Sequence, residues 1–153
     1  MLNAIKTYGV FEISDWFLTK ESMQPRKLQK LVYYVQAWSN ALFDIPLIND
    51  TDFEAWTNGP VSPKLREKYL DYDWNNIEIN NNSSTIENQK VLNLLESVWV
   101  TYGDKDYMEL EALSRREFPW ISARGILKSN QSSDSIISNE DMKEFYLSIY
   151  KKG

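Results

Sequence analysis

Apolar residues recur at intervals of three and four along most of this chain, the spacing that aligns one face of a helix. Val10, Ile13 and Phe17 form the first stripe, over residues 10–20, and Phe11 and Trp16 widen it. A longer stripe follows Met23-Gln24-Pro25 and runs through Leu28, Leu31, Val32, Val35, Trp38 and Leu42. Pro25 suits its entry, because a proline at the first helical position gives up no needed N–H. Ser62-Pro63 opens a short helix to about Leu70. Ser84 with Glu87 reads as a capping box ahead of Val91, Leu94, Leu95, Val98 and Trp99, and Gly103 stops that helix. Asp106 with Glu109 repeats the box ahead of Met108, Leu110 and Leu113. Pro119 starts a short helix through Leu127, and Ser138 with Asp141 opens the last one, bearing Met142, Phe145, Tyr146 and Ile149.

Between these stripes, FEAWTNGPV at 53–61 carries a turn signal in Asn58-Gly59-Pro60, flanked by apolar groups that read as extended. Residues 75–84, NNIEINNNSS, read as a surface loop with a short hairpin edge through Ile77 and Ile79, and SNQSSDS at 129–135 reads as a second loop. Neither loop is long enough to separate a pair of folded domains. The expectation is a mainly α, compact single-domain fold over residues 1–153. It has about six or seven helices, a small β element around 53–61 and a further extended stretch at 75–80.

The second helix holds more than an apolar stripe. Gln29, Tyr33 and Gln36 fall at i, i+4 and i+7, and Lys27, Lys30 and Tyr34 occupy the remaining side. Aromatic groups on several sides predict a helix packed all round at the centre of the domain. Buried Gln and Tyr groups need partners, and the backbone of the Gly-Pro-Val turn is one source of them. The same row could instead contact a partner protein.

Composition narrows the chemistry. The 153 residues contain no His and no Cys. Thiolate nucleophiles, disulfides, thiolate zinc sites and imidazole bases are therefore excluded. The 22 acidic side chains outnumber the 17 basic ones, and a net charge of −5 disfavours general nucleic-acid binding. Arg26, Lys27 and Lys30 beside Tyr33 and Tyr34 make only a thin basic footprint. No apolar run is long enough for a membrane span or a secretory signal core, so a cytoplasmic protein is expected. Glu109, Glu111 and Glu117, with Arg115 and Arg116, do not share one helical face and read as a solvated, ion-paired surface. Asp71, Asp73 and Glu78 lack the spacing of a calcium loop. No metal, no cofactor and no enzyme activity is expected.

The stretch MQPRKLQKLVYYVQAW (23–38), followed by FEAWTNGPV (53–61), resembles the Panacea domain family, which contains antitoxins of bacterial and phage toxin–antitoxin pairs and phage-associated proteins. Leu94, Val98, Trp99, Tyr102 and Gly103 fit the next helix of that pattern, and Leu113-Ser114 with Pro119-Trp120 fits its closing motif. The resemblance spans roughly residues 8–150. It implies an antitoxin that neutralises a cognate toxin by direct binding. A proteolysis adaptor, or another phage-associated interaction protein, is the alternative, and an enzyme using carboxylates ranks below both. The motif residues expected to touch the partner, or to shape the surface that does, are Lys30, Tyr33, Tyr34, Trp56, Asn58, Gly59, Pro60 and Val61. The chain departs from the pattern at Gln24, where a Ser or Thr cap is usual, at Arg26, an apolar position, and at Arg115, which replaces a common His.

Overall fold

A computed structural model describes residues 5–81, 84–128 and 130–152, so residues 82–83 and 129 of the two expected loops lie outside the described residues. Among the described residues there are seven α-helices: α1 (Val10–Leu18), α2 (Pro25–Leu42), α3 (Pro63–Lys68), α4 (Gln89–Tyr102), α5 (Tyr107–Arg115), α6 (Phe118–Arg124) and α7 (Asn139–Lys152). A hairpin of β1 (Glu54–Trp56) and β2 (Gly59–Val61) stands between α2 and α3, and a 3₁₀ turn, Leu70–Tyr72, follows α3. No described helix is long and apolar enough to cross a membrane.

The mainly α expectation holds, and α2 is the axis of the fold. It packs against α1, α3, α4, α5, α7 and β2. Leu28, Leu31, Val32, Tyr34, Val35 and Ala37 lose all contact with solvent. A helix surrounded in this way cannot carry a purely apolar surface without losing the loops around it, and two glutamines solve the problem. Gln29 Nε2 donates to Ser62 O at 2.9 Å while Ser62 N–H donates back to Gln29 Oε1 at 2.9 Å. Gln36 grips Ile48 in the same two-way fashion, at 3.1 and 2.8 Å. Each side-chain amide thus stands in for a strand neighbour, satisfying a buried donor and acceptor together.

Local chemistry sets the helix ends. Ser62 Oγ accepts from Leu65 N–H, and Asp106 and Glu109 complete the expected capping box. Asp141 N–H donates to Ser138 Oγ. The start of α4 differs from expectation: Asn88 is its N-cap, accepting from Lys90 and Val91 N–H, and the Ser84–Glu87 pair lies outside the helix. Asn at that position captures two orphan donors directly, so the earlier box is not needed. Further along the chain α6 stops at Gly125, whose φ of +59° breaks the helix before Leu127.

Strand structure also departs from expectation. The hairpin turn is Thr57-Asn58, and Gly59-Pro60 belong to β2, paired with Trp56 and Ala55. At 75–80 there is no hairpin edge. Ile77 forms an isolated bridge with Met23, and Ile79 is exposed. A single bridge fills the one buried position, and the Asn-rich flanks have no apolar partner to extend it.

Behind α2 lies an aromatic cluster with one carboxylate inside it. Tyr34 and Tyr102 stack at 4.0 Å between centroids, and Tyr33, Tyr146 and Phe53 pack edge-on around them. Glu117, expected on a solvated face, is buried here and accepts from Tyr34 Oη at 2.7 Å and Tyr146 Oη at 2.8 Å. Burial raises its pKa above the ordinary 4.5, and the two phenol hydrogen bonds and Arg116 oppose the rise. The folded state therefore holds the Glu117 proton more tightly than the unfolded chain does. That stabilisation is full below pH 4.5 and is lost as pH rises through the folded pKa. The Glu117→Gln variant keeps an acceptor for both phenols and should gain stability relative to the native protein as pH climbs above that point. Glu117→Ala strands the Tyr34 hydroxyl and leaves Tyr146 only its 3.3 Å contact with the Tyr33 hydroxyl, and should cost about 1–3 kcal/mol at neutral pH. Urea unfolding of the three proteins across pH 4–7 checks both outcomes.

Candidate functional site

The hairpin does not lie flat on α2. Its tip, with the first turns of α2, α3, the following 3₁₀ turn, α5 and residues 132–134, lines a groove of about 790 Å³. That is large enough for a drug-sized molecule or a peptide segment.

Two clasps hold the hairpin wall. On the groove side, Gln29 grips Ser62 just beyond β2. On the far side, Trp120 Nε1 donates to Trp56 O at 2.9 Å and Arg124 Nη1 to Ala55 O at 2.9 Å. The buried Arg124 guanidinium also binds the carbonyls of Lys128 and Gln131, tying the following loop to the hairpin. Ala55 N–H donates to Ser135 O and Ile137 N–H to Phe53 O, so residues 135–137 run beside β1. Gly59 explains how closely the hairpin can approach. With φ at +129°, it presses against α2 and α5, and a Cβ there would meet Lys30 Cε at 2.9 Å and Ser114 Oγ at 3.1 Å.

The groove floor is charged. Arg26 forks onto Glu111, Nε to Oε2 at 2.8 Å and Nη2 to Oε1 at 2.6 Å, with the guanidinium lying over the rings of Trp74 and Tyr107. Bidentate pairing of this kind is the strong form of ion pair. Lys30 lies deeper, its side chain only 2% exposed, with Nζ 3.8 Å from Glu111 Oε2. That distance is an ion pair too long for a hydrogen bond. Burial lowers the Lys30 pKa to about 8, with Arg26 and Arg115 adding to the fall and Glu111 opposing it. Val61 and Leu65 supply apolar floor, and Trp56, capped by Arg66 at 5.1 Å, forms the hairpin rim. Trp74 and Leu70 form the opposite rim, each 53% exposed.

The expected site residues therefore divide. Lys30, Trp56, Asn58 and Val61 line the groove. Gly59 and Pro60 are buried strand residues that form its wall. Tyr33 and Tyr34 are fully enclosed in the aromatic cluster and present no surface to a partner. The Gln29 and Gln36 row serves internal hydrogen bonding, the first of the two alternatives. Glu111 overturns the solvated-face expectation, because Arg26 and Lys30 converge on it. Arg66, Tyr69 and Trp74 had no local signal marking them as groove residues. Arg26 did: a cation at an apolar position of a packed helix calls for a buried partner.

Among the described residues no three acidic side chains converge on a point, and Glu111 is fully engaged by cations. The family described as "Antitoxin SocA-like, Panacea domain" matches residues 28–121, which takes in Lys30, the hairpin, α3, Glu111 and Trp120. No curated protein and no solved structure matches the chain significantly.

The buried ammonium has a measurable cost. Between pH 8 and 10.5 the unfolded chain keeps the Lys30 proton that the folded protein has released, so this residue's contribution to stability rises with pH across that window. Lys30→Met removes the dependence while filling similar space. The native protein should fall short of the variant by up to about 3 kcal/mol near neutrality and recover as pH approaches 10. Denaturation of both proteins at matched pH values, read as a difference, isolates Lys30 from the tyrosines that titrate nearby.

Proposed function

The chain belongs to the family of SocA-like antitoxins built on the Panacea domain, and on that premise we propose that it neutralises a cognate toxin by binding it directly, without catalysis. The observation that carries this reading is the family match itself. It covers most of the groove, including its buried lysine, its hairpin wall and its carboxylate. The groove is the natural contact surface. Its floor holds the Arg26–Glu111 fork, and its rims present Trp56 and the half-exposed Trp74. Aromatic side chains around a pocket supply most of the affinity in protein interfaces. The net charge of −5 favours a basic toxin, since complementary fields speed encounter.

Co-expression with the product of the adjacent gene tests this reading. That product alone should arrest growth, and this protein should restore it while co-purifying with the toxin. Replacing Trp56 and Trp74 by Ala should weaken the complex by about 2 kcal/mol or more, read by titration calorimetry. A neighbour that is harmless alone, or lethal despite this protein, sinks the proposal.

A further inference from the structure

Every side-chain nitrogen or oxygen sealed from solvent among the described residues has a hydrogen-bond partner. Lys30 Nζ is the instructive case beside that rule. Its ion-pair partner Glu111 Oε2 stands at 3.8 Å, and Glu111 already receives both arms of Arg26 at hydrogen-bond distance. The remaining 2% of the side chain's surface opens into the groove, which Lys30 lines. Folding has stripped this ammonium of most of its water and returned only a long, shared ion pair to Glu111, a deficit that a ligand can make good.

We propose that the groove receives an acidic side chain from the toxin, whose carboxylate takes the unfilled hydrogens of Lys30 while the segment bearing it crosses the Trp56 and Trp74 rims. This deepens the direct-binding reading and rests on it for the identity of the partner. Charge decides the ligand class. Arg26, Lys30 and Arg66 in the lining are matched one for one by Asp73, Glu111 and Asp134. The lining carries no surplus charge, and because Arg26 holds both Glu111 oxygens at hydrogen-bond distance, Lys30 has donors for a single further carboxylate. A phosphate chain would meet the three acids. Depth decides the source. Lys30 lines the groove together with Val61 and Leu65, an apolar floor that the methylenes of a Glu side chain can cross. A chain terminus would carry its backbone N–H groups down to that floor, where they would go unpaired.

The test uses the intact protein, labelled with ¹⁵N, and three probes: acetyl-Trp-Glu-amide, acetyl-Trp-Gln-amide, and acetyl-Trp-Gln with a free C-terminus. The Glu probe should move the indole N–H signals of Trp56 and Trp74 and bind at least tenfold more tightly than either Gln probe. Lys30→Met should erase that preference, and the native-protein comparison stands even if the variant folds poorly. Equal binding of all three, tighter binding of the free-terminus probe, no binding, or shifts confined to other tryptophans would each overturn the proposal. Growth rescue by co-expression separates the two readings. Rescue without Glu selectivity leaves the antitoxin function standing and removes the carboxylate site. Selectivity without rescue does the reverse.

Discussion

The fold depends on side-chain amides doing backbone work. α2 is surrounded by other elements, and two of the segments that enclose it lie outside the hairpin: the one around Ile48, joined to Tyr8 by an isolated bridge, and the one around Ser62. Gln29 and Gln36, two turns apart on one face, give each of these loops a donor and an acceptor at once. Without them the backbone groups would be buried and unpaired, at a cost of about 1–3 kcal/mol each. The groove inherits its shape from the same device, because the Ser62 grip sets how the hairpin leaves α2.

Two buried charged clusters flank that helix and were resolved in opposite ways. On one side Glu117 is drawn into an aromatic cluster and answered by two phenols, so the cluster is closed and serves the core. On the other side Arg26 and Glu111 satisfy each other, and Lys30 has only a 3.8 Å ion pair to the same carboxylate. The first arrangement uses polar groups to specify how α2, α6 and α7 meet. The second keeps a desolvated cation at the base of an open groove, a feature that packing alone does not require. A well-packed apolar side chain there would cost less.

Much of the architecture was legible along the chain. Pro25 marks the start of α2, Asp106 with Glu109 caps α5, and the Gln row reads correctly as internal. Gln29's partner even follows the Gly-Pro-Val segment directly. Errors gathered where two equally good local signals competed, as with Ser84–Glu87 against Asn88 at the start of α4, and where an alternating pattern, Ile77 and Ile79, had no strand to meet. The burial of Glu111 and Glu117 was invisible for another reason. Each lies in a charged stretch that resembles a solvated face, and each is rescued by partners 85 and 83 residues away.

The sequence by itself determined the presence of the helices, the central place of α2 and the family, because these follow from periodicity, capping chemistry and an ordered set of motif residues. Only the tertiary structure decided which polar groups are inside, which tyrosines are core and which tryptophans are rim, and that one buried lysine meets its carboxylate at ion-pair distance in a groove. Those outcomes depend on which groups meet across long separations, and a charge shows its cost or its use only once the water around it has been replaced.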